Sequence, residues 1–310
     1  MRVSHWTSSM NTWDDIVTSC RHAADTGWDG IWVPDHFMPP ESGYGDEPEP
    51  AVDPELTATL EGWTLLAGLA ASVTRVRLGV LVTGNTYRHP ALVAKMAATV
   101  DHISGGRAVL GLGAGWQENE HRHYGLAYPS PAGRARRLDE ACRVLLGLLG
   151  RERTDFVGRH YRLDSAPAEP KPLGELPLML GAQGEKLMMP VVARHADEWN
   201  LWADPERFAA KSAVLDRLCR DVGRDPAEIR RSAAVMIQIH DDPSAAAAAR
   251  EVHSGPKMLI GTPEELRAVI ARYPGLGCDE LMVADFNVHP DDRIARMDRL
   301  MEEIIRPATR

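Results

Sequence analysis

The stretch from Arg75 to Tyr124 constrains the fold more than any other part of the chain. Residues 76–82 are a nearly continuous apolar run, as expected of a parallel strand buried on both faces. Pro90 then opens a helix at its first turn, where a missing N–H costs nothing. Leu92, Val93, Met96, Val100 and Ile103 recur at helical spacing, and Gly105 and Gly106 supply the left-handed residue that a C-terminal cap needs. Residues 108–115 (Ala-Val-Leu-Gly-Leu-Gly-Ala-Gly) read as the next strand, leading into Trp116, Gln117, Glu118, Asn119, Glu120, His121 and Tyr124. Strand, crossover helix and strand make a right-handed βαβ unit, with polar and aromatic residues gathered at the strand C-terminal ends.

The alternation continues along the chain. Apolar runs at 2–8, 28–33, 176–180, 198–202, 233–239 and 280–284 read as strands, and helical periodicity appears at 13–24, 56–71, 134–149, 186–195, 208–222 and 293–305. Thr262-Pro263-Glu264-Glu265 is a further helix start, with an N-cap, a first-turn proline and acids near the positive end. Eight βα units predict an α/β (β/α)8 TIM barrel. A hairpin at 156–163 and an extended connector carrying Pro167, Pro170, Pro172 and Pro177 form a small insertion, about 151–175, between the fourth and fifth units. Residues 38–55, rich in Pro, Gly and acid, suit a surface loop of lid type. A barrel of this kind needs roughly 250 residues, so residues 1–310 are expected to form one domain.

The net charge of −9 argues against a general nucleic-acid surface. Cys20, Cys142, Cys219 and Cys278 are scattered without zinc or redox spacing, and no His/Asp cluster has metal spacing. No signal peptide or membrane-spanning apolar run is present, so a reducing cytoplasm is expected.

Active sites of such barrels lie at strand C-terminal ends. That rule nominates His5, Asp35, His36, Thr83, Trp116, Glu120, Gly181–Gly184, Asn200, Trp202 and Asp285. Gly181-Ala182-Gln183-Gly184 follows a strand and is expected to open a helix, a setting that favours an anion, with Lys186 nearby; an ordinary βα turn is the plainer reading. His36 titrates near neutrality beside Asp35 and suits acid–base work, against the simpler role of capping a loop. Glu61 and Glu120 are further carboxylates, equally suited to helix starts. Gly111, Gly113 and Gly115 lack dinucleotide-fingerprint spacing and read as glycines that make room in a tight barrel.

Leu78-Gly79-Val80-Leu81-Val82-Thr83-Gly84 and Gly111-Leu112-Gly113-Ala114-Gly115-Trp116 resemble the luciferase-like monooxygenase superfamily, and the Trp after the last Gly resembles its branch using the deazaflavin coenzyme F-420. Further matches run from Trp13 to about Asp285. The resemblance implies a cofactor phosphate at Gly181, Ala182, Gln183 and Gly184. It implies a bulge with a non-proline cis peptide at Leu81-Val82 under a tricyclic ring, and Thr83, Gly113, Trp116 and Trp202 beside that ring. It also implies catalytic roles for His36, on the substrate side, with Asp35 and Glu120. Two departures from the family's sugar-phosphate dehydrogenases stand out: Trp116 replaces their catalytic Glu, and Phe37-Met38-Pro39-Pro40 lacks their Trp. With Trp6, Trp63, Trp202 and Phe37, they suggest a more apolar pocket. The expected activity is F-420-dependent hydride transfer to or from a small organic substrate. An FMN-dependent monooxygenase using reduced flavin and oxygen is the rival, and a non-catalytic flavin-binding relative the third reading. The resemblance also implies a homodimer, and a flavin or F-420 reductase as partner if the system has two components.

Overall fold

The computed structural model describes residues 1–41, 57–253, 255–286 and 288–309. Most of the proposed lid at 38–55 therefore lies outside the described residues.

The ordered elements are β1 (Arg2–Trp6), α1 (Trp13–Thr26), β2 (Gly30–Val33), α2 (Gly62–Ser72), β3 (Arg77–Val80), β4 (Thr83–Gly84), α3 (Pro90–Ser104), β5 (Ala108–Gly113), α4 (Glu118–His123), α5 (Pro131–Gly150), β6 (Arg153–Val157), β7 (Arg162–Pro167), β8 (Leu178–Gly181), α6 (Met189–His195), β9 (Glu198–Trp202), α7 (Pro205–Asp221), β10 (Arg230–Ile239), α8 (Pro243–Val252), β11 (Met258–Gly261), α9 (Pro263–Ile270), α10 (Arg272–Gly275), β12 (Glu280–Ala284) and α11 (Pro290–Arg299). Parallel pairing runs β12–β1–β2–β3–β5–β8–β9–β10 and returns from β10 to β12, closing an eight-stranded barrel with helices between the strands. β4 continues β3 against β5, and β11 extends β10, an addition the sequence pattern did not signal.

Alternation along each strand separates two cores. Val3, Ile31, Leu78, Leu110 and Leu281 face outward into the layer packed by the helices, whereas Trp6, Trp32, Leu81, Val109, Met179, Met236 and Met282 fill the interior. The floor of the interior is ionic. Arg2, Arg77, Glu198, Arg230 and Glu280, each the first residue of its strand, converge there. Arg77 bonds both oxygens of Glu198 at 2.8 and 2.9 Å and also pairs with Glu280. Ser4 and the Trp32 indole donate to Glu280 at 2.6 and 3.0 Å.

The insertion forms as a hairpin, β6 against β7. Glu140 on α5 fastens it: its carboxylate accepts the backbone N–H groups of Arg159, His160 and Tyr161 at 2.9, 2.8 and 3.2 Å. Burial opposes the charge, but these donors outweigh it and hold the Glu140 pKa below its ordinary 4.5. The stabilisation is therefore present above that pH and is lost as pH falls through the lower folded-state pKa. Glu140→Gln is expected to destabilise the protein by about 1–3 kcal/mol at pH 7, as for hydrogen bonds to a charged group. Denaturation at pH 7 and again at the acid limit of the folded range should show the difference shrinking; equal differences would remove the ionic part of this account.

Of the apolar residues on the early helices, Leu65, Leu66 and Leu69 are buried, as expected of a barrel-facing stripe, while Leu92 and Ile103 on α3 are exposed. Among the described residues no helix is long and apolar enough to cross a membrane.

Candidate functional site

The C-terminal mouth of the barrel gathers the loops after β2, β4 and β5. His36 and Glu120, 84 residues apart, meet there, with His36 Nδ1 2.9 Å from Glu120 Oε1. Glu120 is fully buried at the start of α4. The Tyr87 hydroxyl also donates to Oε1, and Oε2 accepts the Phe37 N–H at 2.8 Å. Burial raises the Tyr87 pKa above its usual value, and the Glu120 charge adds to the effect, so the phenol stays a donor. Three donors thus converge on one carboxylate. With Glu120 anionic, Nδ1 of neutral His36 carries the proton, and Nε2 is left with its lone pair. His36 Nε2 has no partner among the described residues, and the side chain is 13% exposed. Its ring meets Trp116, which is half exposed, edge to face at 5.4 Å. Phe37, Tyr87 and Tyr124 form an aromatic wall beside it.

Asp35 is not at the open mouth, contrary to its candidacy for catalysis. It is fully buried, and the Arg88 guanidinium forks onto it at 2.6 and 2.9 Å. Burial opposes the charge on Arg88, but Asp35 and Glu61 together hold it firmly protonated. Glu61 also caps α2 by accepting from the N–H groups of Trp63 and Thr64, the plainer of its two expected roles. This lattice orients the segment that presents His36. His5 and Asp285 are also excluded. They lie on the outer face of the barrel beside Trp28 and Arg293, with Asp285 2.6 Å from Arg293 Nε. Burial lowers the His5 pKa there.

The floor of the mouth is apolar: Trp6, Leu81 and Ala284, with half-buried Val82, Trp202, Met258 and Phe286 packed against them. The Leu81-Val82 peptide is cis. A Cβ on Gly113 or Gly181 would come within 2.7 or 2.9 Å of a Val82 methyl. Gly113 and Gly181 thus make room for Val82, in keeping with the reading of glycines that make room in a tight barrel. Thr83 is fully buried, its hydroxyl accepting from the Trp63 indole at 2.7 Å. Asn200 also faces the interior, bonding Ser232.

The segment after β8 differs from expectation in one respect. α6 does not begin at Gly184; it starts at Met189, is seven residues long and has no side-chain cap. The helix start expected at Gly181–Gly184 is therefore not what this segment forms. Arg207, in the first turn of α7, reaches it, donating to Gln183 Oε1 at 2.8 Å. Sequence reasoning missed Tyr87, Arg88, Arg207 and Phe286. Tyr87, Arg88 and Phe286 follow β4 or β12 closely, so the strand-end rule had the reach to find them; Arg207 gave no local signal.

The closed parallel barrel thus brings the cis Leu81-Val82 peptide and the His36–Glu120 pair to one mouth. The model of the luciferase-like monooxygenase family matches residues 1–274, and the chain belongs to that family. It is 32% identical over 201 residues to the pyrimidine monooxygenase RutA of Variovorax paradoxus, covering 63% of this chain and 52% of that protein. It is 29% identical over 228 residues to the F-420-dependent glucose-6-phosphate dehydrogenase of Kineococcus radiotolerans, covering 72% and 64%. The chain thus spans about half to two thirds of these curated relatives. An F-420-dependent secondary alcohol dehydrogenase in complex with an F-420–acetone adduct shares the fold at TM-score 0.82 and 21% identity, over 100% of this chain and 99% of that one. Monooxygenase RslO1 of Streptomyces bottropensis does so at TM-score 0.77 and 19% identity, over 100% of both.

Proposed function

We propose that this enzyme is an F-420-dependent oxidoreductase that moves a hydride between the deazaflavin and a small organic substrate. The observation that carries the reading is the His36–Glu120–Tyr87 assembly, a single acid–base group held at an otherwise aromatic mouth. The residues fit such a cofactor. Leu81, Val82, Gly113, Trp116 and Trp202 would surround a flat ring, and Gly181, Ala182, Gln183 and Gly184 with Arg207 would meet an anionic tail; Thr83 supports the strand from within. The cofactor supplies the redox chemistry when bound. The protein's own part is to orient, to exclude water and to manage one proton. In the oxidising direction His36 Nε2 accepts the proton of a substrate hydroxyl, and the Glu120 carboxylate stabilises the imidazolium through Nδ1–H. In the reducing direction Nε2 returns it. The aromatic walls favour a substrate of apolar body over a sugar phosphate.

The similarity to a pyrimidine monooxygenase supports the alternative, an FMN-dependent monooxygenase. Equilibrium titration of the purified apoprotein with F-420 and FMN separates the two, and F-420 is expected to bind more tightly. Tighter FMN binding together with oxygen consumption driven by reduced FMN would reverse the assignment.

A homodimer is expected; of the early-helix residues weighed for its contacts Leu65, Leu66 and Leu69 are buried, while Leu92 and Ile103 of α3 are exposed. Light scattering at micromolar concentration should give twice the chain mass, and a monomer mass would refute it.

A further inference from the structure

Trp6, the last residue of β1, is 6% exposed and lies in the interior cluster with Leu81 and Val82. Trp202 packs on it at 4.9 Å and 30°, and Phe286 meets it edge-on at 4.8 Å. Its indole Nε1 is buried and finds no acceptor among the described residues. Buried donors are paired as a rule, and an orphan at a functional mouth points to a ligand atom. We propose that Trp6 Nε1–H donates to a ring carbonyl of the bound cofactor, an inference that rests on the proposed function above.

Two arguments narrow the acceptor. The indole N–H is a donor only, and its surroundings are Trp202, Phe286, Leu81 and Met282. An ionised phosphate or carboxylate would lose its hydration there without compensation, so the acceptor is neutral. The pyrimidinedione of a deazaflavin or a flavin carries such carbonyls. Depth supplies the second argument. His36 and Trp116 lie further out, towards solvent, whereas Trp6 belongs to the floor with the Leu81-Val82 bulge. A group resting on that floor is the cofactor, and the substrate stands outside it. Sequence reading placed Trp6 only as one wall of an apolar pocket; its free N–H makes it a reader of ring orientation.

Trp6→Phe retains the aromatic packing and deletes the donor. Titration of the apoprotein with F-420 and with FMN should show the dissociation constant of the better-binding cofactor raised roughly five- to tenfold, the worth of one neutral hydrogen bond. The melting temperature of the apoprotein should not fall, since no protein acceptor is lost. In the wild type, the indole 15N–1H signal of Trp6, assigned from its proximity to Trp202 and Phe286, should move downfield on adding the same cofactor; this readout stands even if the variant folds poorly. A dissociation constant within twofold and an unmoved signal would overturn the proposal. So would a signal that moves only when cyclohexenone is added to the loaded enzyme, which would give the donor to a substrate carbonyl. A wild-type protein that binds neither F-420 nor FMN would instead overturn the cofactor reading itself, and this inference with it.

Discussion

Replacing His36 with Ala is expected to lower turnover by roughly 10²–10⁴, the usual contribution of a general acid or base, while leaving F-420 affinity nearly intact. The geometry sets both halves of this expectation. Nδ1 is tied to Glu120 at 2.9 Å, so a single nitrogen, Nε2, is left for chemistry. The proposed cofactor contacts lie elsewhere, on the Leu81-Val82 bulge and the segment after β8. A substrate must first be found, by offering alcohols with F-420 or enones and imines with its reduced form. A loop-capping His36 would behave differently: the variant would melt earlier and bind cofactor less well, with activity falling only in proportion. Glu120→Gln adds a second signature. It removes the carboxylate charge that His36 Nδ1 meets at 2.9 Å, so turnover should fall while F-420 affinity holds. Near-full turnover in His36→Ala would end the acid–base assignment.

The largest effect on stability is expected from Arg77→Met, at about 3–5 kcal/mol, the range for removing one partner of a buried ion pair. Glu198 and Glu280 are 3% and 1% exposed at the side chain, and Arg77 is the buried cation between them. Arg2 and Arg230 also reach these carboxylates, at 3.3 and 3.2 Å, but from positions 34% and 44% exposed, where water screens them. Methionine fills most of the volume and strands two buried charges. Urea denaturation at pH 7 measures the loss, and a change under 1 kcal/mol would show that Arg2 and Arg230 suffice. Adding Glu198→Gln and Glu280→Gln to the variant should recover part of the stability, since the cost lies in uncompensated charge. The site is far from the mouth, so cofactor affinity measured below the unfolding transition should be unchanged.

Local order is what the sequence by itself determined. The apolar run at 76–82, the helix begun by Pro90 and the glycine-rich strand before Trp116 each depend on neighbours within one element, and period and punctuation reveal such elements directly. Eight repeats of that unit leave the barrel as the natural closure, and closure carries His36, Trp116, Trp202 and Gly181 to one end. Tertiary structure alone decided which strand-end residues share the mouth. His5 and Trp6 are adjacent in sequence, yet they occupy opposite faces of β1, because the side-chain period is two and the register of pairing with β2 and β12 sets its phase. Asp35 and His36 looked like a working pair and were separated by partners 53 and 84 residues away, Arg88 and Glu120. The ionic floor joins Arg77 to Glu198 and Glu280, respectively 121 and 203 residues distant. Local periodicity carries no record of such pairs, since each depends on where chain closure brings two side chains that do not influence one another's secondary structure.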